Sequence, residues 1–177
     1  IVSFISNSSY LAGRSHPIMR ESLVRNFQEI WVDNLNGDKY RTGKIVPEGE
    51  PGAGTSDQSV FTTEQDPRGS QVGTAVTTFL KRKKSTKGTA KVHYRDFWGR
   101  SEAKRRALVE SVGMGAWSKK RRTEAAELPE GPRAYEEIQP TEKGRWKLTP
   151  FSTTGGYEEW PGIDELFPAT FQGVNPN

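Results

Sequence analysis

Residues 71–80, Q-V-G-T-A-V-T-T-F-L, read as a β-strand more clearly than any other stretch of the chain. Val, Thr and Phe recur there, and β-branched and aromatic side chains fit a pleated, half-buried surface. The run closes on consecutive cations, Lys81, Arg82, Lys83 and Lys84. Ahead of it, a long polar loop ends on an isolated Val60–Phe61 pair. The fold must therefore bury this strand while carrying a polar loop that delivers an aromatic to its entrance. Such an aromatic is either a core plug or a tool. Polar flanks set it apart, but the residues alone still favour the plug, because most Phe side chains are packed.

Around that strand the expected class is α/β. Residues 1–6, I-V-S-F-I-S, are mostly apolar, as in a strand buried on both faces of a parallel or mixed sheet. Residues 17–28 suit a helix with Ser15 or His16 at its cap and Pro17 in its first turn. Its inward stripe is expected to be Met19, Leu23, Phe27 and Ile30, with Arg20, Glu21 and Arg25 elsewhere. Residues 30–35 form a second strand, stopped by the turn pair Asn36–Gly37. Strand, helix, strand is the pattern of a parallel crossover.

Residues 38–59 have no periodicity and are expected to be a structureless loop, functional or disordered. Residues 71–80 and 89–97 are expected to pair as an antiparallel hairpin. Residues 101–112 suit a helix that turns Ala103, Ala107, Leu108 and Val112 inward and Lys104, Arg105 and Arg106 outward, with Ser101 as its cap and Gly113 as its stop. Beyond that, residues 114–177 read as a linker and extension with a weak strand within 135–151 and apolar anchors in W-P-G-I-D-E-L-F-P-A-T-F. This tail either packs on the core or reaches toward a further domain.

Only 32% of the 177 residues are hydrophobic, and the mean hydropathy is -0.78. That implies a small core with long polar loops, or a piece of something larger; an opening on strand-like residues without Met favours the piece. No apolar run approaches the length of a membrane span. The absence of Cys removes disulfides, thiolate zinc sites and Cys nucleophiles. The net charge of +4 is unevenly spread: from Lys81 to Arg122 there are 15 Lys and Arg against three acids. Such a block favours a polyanionic partner, although charge runs are more commonly solvated faces.

Catalytic constellations are scarce. His16 and His93 are far apart in sequence, and no metal-ligand spacing occurs. P-G-A-G-T-S at 51–56 has the glycines of a phosphate loop but follows no strand and opens no helix, so it reads as flexible loop. Nothing singles out Glu64, Asp66, Glu158 or Glu159 as an acid or base. What remains is electrostatic and aromatic. Lys39, Arg41 and Lys44 in the loop and Lys81, Arg82, Lys83 and Lys84 after the strand would position a duplex through its phosphates if they share one rim.

The ordered set F-I-S-N-S-S-Y-L-A-G, M-R-E-S-L, I-W-V-D-N-L-N-G-D, S-V-F-T-T and G-T-A-V-T-T-F-L-K-R resembles the second half of an adenine-specific DNA methyltransferase. N-L-N-G-D-K-Y-R-T-G-K, R-D-F-W-G and W-P-G-I-D-E-L-F-P-A-T-F-Q-G-V are similar to the large single-chain bacterial restriction-modification proteins. The resemblance spans residues 1–99, is patchy to 159 and returns at 160–174.

It implies a Rossmann-like methyltransferase sheet whose last strands include one antiparallel member, a catalytic-domain portion at 1–113 and an extension at 114–177. It also implies a bacterial, cytoplasmic setting, double-stranded DNA and the remainder of the same polypeptide as partners, and S-adenosylmethionine as methyl donor. Phe61 would be the aromatic that stacks on the adenine rotated out of the duplex. The glycine cofactor motif and the N-P-P-Y or D-P-P-Y tetrapeptide of that family do not occur in this sequence, so the chain alone is expected to be inactive. The residues themselves leave two other readings open: a non-catalytic DNA-binding or coupling module, and a structural piece whose basic stretch contacts a neighbouring domain.

Overall fold

The computed structural model describes residues 1–83, 88–111 and 134–150. Five strands form one mixed sheet in the order β1-β3-β2-β4-β5: β1 Val2–Asn7, β2 Glu29–Asn34, β3 Thr74–Leu80, β4 Lys91–Asp96 and β5 Glu136–Ile138. Short helices α1 Ser9–Ala12 and α2 Pro17–Asn26 link β1 to β2, α3 Lys39–Thr42 follows β2, and α4 Ser101–Ser111 follows β4. Strands β1, β2 and β4 share one direction, and β3 runs against β1 and β2 between them. Two strands therefore run against the other three, β3 between β1 and β2 and β5 beside β4.

The expected hairpin of residues 71–80 with 89–97 does not form. β3 pairs with β1 and β2, whereas β4 lies on the far side of β2, in parallel, with Ile30 opposite Val92. Adjacency in sequence favours a hairpin, but Ala75, Thr77 and Phe79 need neighbours on both sides to become buried. Ile30, Val32, Ala75, Phe79, Val92 and Tyr94 form one face of the sheet and pack against Tyr10, Leu11, Val24 and Leu148. Burying a ring such as Phe79 contributes about 1.5–3 kcal/mol. Leu35, Val60 and Phe97 make a second cluster under Val76, Ala107 and Leu108.

Three further expectations are corrected. β1 is not buried on both faces: it pairs only with β3 among the described residues, and Val2, Phe4 and Ile5 are exposed. α2 presents a different stripe, with Arg20 and Val24 buried, Leu23 and Phe27 half-buried, and Met19 41% exposed. The Arg20 guanidinium donates to the carbonyls of Tyr10, Gly13 and Arg145, so its charge is absorbed by backbone dipoles in the interior.

Nor is 38–59 structureless. Asp38 caps α3 through Tyr40 N and Arg41 N, Gly43 ends that turn in the left-handed conformation, and Ile45 bridges Ser56. Residues 134–150 pack on the sheet: β5 pairs with β4, and Leu148 is fully buried. Lys84, Val112, Gly113 and the anchors at 157–171 lie outside the described residues. Among those described, no helix is long and apolar enough to cross a membrane.

Candidate nucleic-acid interface

The carboxyl ends of β1, β2 and β4 meet the amino end of β3 at one edge of the sheet, with Asn7 opposite Thr74 and Asn34 opposite both Ala75 and Asp96. Open α/β sheets place ligands at this edge, where loops diverge from the strand ends. A buried polar network closes it. The Asn34 amide donates to Tyr94 Oη at 2.9 Å and to Asp96 Oδ1 at 2.9 Å, and Tyr94 Oη donates to the same Oδ1 at 2.7 Å. Asn36 Nδ2 adds a third donor to Asp96 Oδ1 at 2.9 Å. Burial and the neighbouring Asp96 carboxylate drive the Tyr94 hydroxyl far above its ordinary value, so it stays a neutral donor.

Phe61 belongs to this edge. Residues 59–62 make a tight turn closed by Thr62 N donating to Ser59 O at 3.0 Å, with Val60 and Phe61 at its corners. Val60 points into the second core cluster, and the Phe61 ring remains 50% exposed. The ring is no core plug.

The turn is clasped on several sides. Ser59 Oγ accepts from Phe61 N and from Ser70 N. Gly37 (φ +76°) and Gly69 (φ +52°) press against it so closely that a Cβ would fall 2.7 Å from Ser59 Cα in the first case and 2.8 Å from Thr62 Oγ1 in the second. Only glycine combines that backbone angle with that approach. Below the turn, Asp57 and Lys104 form an ion pair with both side chains 0% exposed. Lys104 Nζ donates to Asp57 Oδ1 at 2.6 Å, Leu35 O at 2.6 Å and Gln58 O at 2.7 Å. Asp57 also accepts from Gly37 N at 2.6 Å and Gly99 N at 3.0 Å.

The expectation that Lys104 faces outward is therefore wrong. An amphipathic pattern assigns a lysine to solvent, whereas here a carboxylate 47 residues away in sequence meets it in the interior. Desolvation outweighs the attraction of Asp57 and lowers the Lys104 ammonium below the usual lysine value. Neither Asp57 nor Lys104 stood out in the sequence. The available signal was a lysine one turn from apolar Ala107 and Leu108 on the same helix.

The other cations do not share one rim. Lys39 and Arg41 lie on α3 at the Phe61 edge, exposed to solvent. Lys44 sits at the same edge and donates to Arg68 O. Lys81, Arg82 and Lys83 follow Leu80 at the opposite end of the sheet, beside Glu29. The seven residues of β3 separate the two groups, a span of about 20 Å.

Among the described residues, five cations of the basic segment have internal partners. Arg82 pairs with Glu29, Lys91 with Glu137, Arg95 with Asp33 and Lys104 with Asp57, while Arg105 binds backbone carbonyls. Residues 51–56 form exposed turns in which Gly54 N donates to Val46 O and Thr55 N to Gly52 O, and no helix starts there. Among the described residues, no three His, Asp or Glu are grouped to hold a metal ion.

No protein-family model and no curated protein matches the chain. Its fold is similar to segments of restriction-modification enzymes of known structure. One is a nuclease-deletion mutant of the Type ISP enzyme LlaGI in complex with a DNA substrate mimic, with a TM-score of 0.50 and 20% identity over 80% of this chain and 11% of that one. The ATP-dependent Type ISP enzyme LlaBIII bound to DNA gives a TM-score of 0.48 and 22% identity over 85% of this chain and 8% of that one. A DrdV–DNA complex gives 0.48 and 19% over 89% and 12%. At these identities the likeness is one of fold, and the chain spans about a tenth of the length of each.

Proposed function

We propose that this chain is the second half of the catalytic domain of an adenine-specific DNA methyltransferase within a restriction-modification protein, and that Phe61 stacks on the adenine turned out of the duplex. The observation that carries this reading is the half-exposed Phe61 ring on a turn clasped by Gly37, Gly69 and Ser59 at the carboxyl edge of a mixed sheet. A side chain that serves packing turns inward, as Val60 does beside it. One that serves a substrate presents a face to solvent on backbone already fixed, so little ordering entropy is lost on contact.

Extruding a base costs a few kcal/mol of stacking and pairing, and an aromatic face returns part of it, about 1–3 kcal/mol per base. Lys39, Arg41 and Lys44, at the same edge, would hold phosphates and set the register of the duplex. The fold shared with the LlaGI segment, whose structure contains a DNA substrate mimic, supports the same partner. S-adenosylmethionine would supply the methyl group in the intact protein. The glycine motif and the di-proline tetrapeptide do not occur in this sequence, so the donor would be held by the remainder of the polypeptide and the chain on its own would be inactive.

The test uses the full polypeptide that contains this chain. F61A should weaken capture of the flipped base by roughly five- to hundredfold, the range that stacking energies allow, read with 2-aminopurine at the target position and by the methylation rate. F61W should retain capture. An F61A protein with wild-type rates at both saturating and sub-saturating DNA would end the stacking role, and a full reading frame without a glycine motif and a di-proline tetrapeptide would end the methyltransferase assignment.

A further inference from the structure

We infer that Arg105 is a positioning residue for Phe61, fixing the turn that presents the ring; this rests on the reading of Phe61 as the base-stacking aromatic. Alternate carbonyls of residues 58–62, in this turn and just ahead of it, all accept hydrogen bonds from one helix. Gln58 O accepts from Lys104 Nζ at 2.7 Å, while Val60 O and Thr62 O accept from Arg105 Nη1 at 3.0 and 3.2 Å. The two carbonyls bound by Arg105 flank Phe61 on either side. Both belong to the turn closed by the Thr62 N to Ser59 O hydrogen bond. A second guanidinium nitrogen, Nη2, donates to Ser101 Oγ one turn earlier on α4, so the fork is held from its own helix as well.

Lys104 and Arg105 do different work. The Lys104 side chain is buried and anchors the base of the loop to the fold. Arg105 is exposed, lies over the turn, and touches no core residue's side chain through these hydrogen bonds. Nη1 holds both carbonyls while Nη2 is held by Ser101 Oγ, a two-nitrogen fork that a single ammonium cannot reproduce. Without it, the carbonyls on both sides of Phe61 would turn to water and the turn would sample orientations in which the ring misses the base. The apparent affinity for the extruded base then falls by the fraction of time the turn is out of position.

The experiment uses the full polypeptide with R105Q, R105K, F61A and the F61A/R105Q double variant, and duplex DNA carrying 2-aminopurine at the target base. R105Q should raise amide exchange in residues 59–70 of the free protein by about tenfold or more, as expected for the loss of two charge-assisted hydrogen bonds. It should also lower base capture by about tenfold, with R105K intermediate. The double variant should be no weaker than F61A alone, because a turn without its ring has nothing left to position. Unchanged exchange at 59–70 overturns the proposal, and so do R105Q and F61A effects that simply add. A silent F61A overturns the reading of Phe61 itself, together with what is built on it. Additivity would leave that reading standing.

Discussion

Substituting Lys104→Met removes the ammonium at the base of the Phe61 loop and keeps the length and apolar bulk of the side chain. Three short hydrogen bonds disappear, to Asp57 Oδ1, Leu35 O and Gln58 O. The Asp57 carboxylate, whose side chain is 0% exposed, is then buried without its counter-charge. Removing one partner of a buried pair costs about 3–5 kcal/mol. Gly37 N and Gly99 N still donate to Asp57, which favours the lower end, about 3 kcal/mol. For a chain of this size that lowers Tm by roughly 6–12 °C.

The assay is urea and thermal unfolding of the purified protein, with a K104M/D57N double variant to close the cycle. Neutralising the carboxylate should recover part of the loss. The pH dependence has a definite sign. Burial lowers the Lys104 ammonium, so the unfolded chain holds that proton more tightly than the folded one. Raising pH from the folded value toward about 10.4 therefore adds stability to the wild type, an increment that K104M lacks. The gap between the two should widen with pH. A K104M protein within about 0.5 kcal/mol of wild type, or a gap that narrows as pH rises, would refute the reasoning.

Two further outcomes follow from the same geometry. Reversing Lys39 and Arg41 to Glu should weaken DNA binding by the full polypeptide at all sequences alike and reduce the salt slope by about 2, whereas reversing Lys81 and Lys83 at the opposite end should leave that slope nearly unchanged; equal effects would place the duplex elsewhere. Gly37→Ala puts a Cβ 2.7 Å from Ser59 Cα at φ +76°, so it should cost on the order of 2 kcal/mol and raise amide exchange at 59–70, while a neutral result in unfolding experiments would mean that the turn yields.

The parts legible in the chain itself are those carried by local chemistry. Thr, Val and Phe at 74–79 specify a strand wherever it ends up, Pro17 opens a helix, and Asn36–Gly37 follows the end of β2 with both residues at positive φ. Long-range pairing decided the rest. Whether β3 joins β4 across a short connection or enters between β1 and β2 depends on which partners bury Thr77 and Phe79, and no local pattern encodes that. The polarity of α2 and α4 misled for a related reason. Arg20 and Lys104 are charged, yet carbonyls and a carboxylate from distant segments make burial tolerable for them. Phe61 was visible from the start as an aromatic in polar company. Its exposure is a tertiary fact, because the turn that turns Val60 inward and leaves the ring outside is held by Gly37, Gly69 and α4, all remote from it in sequence or brought to it only by the fold.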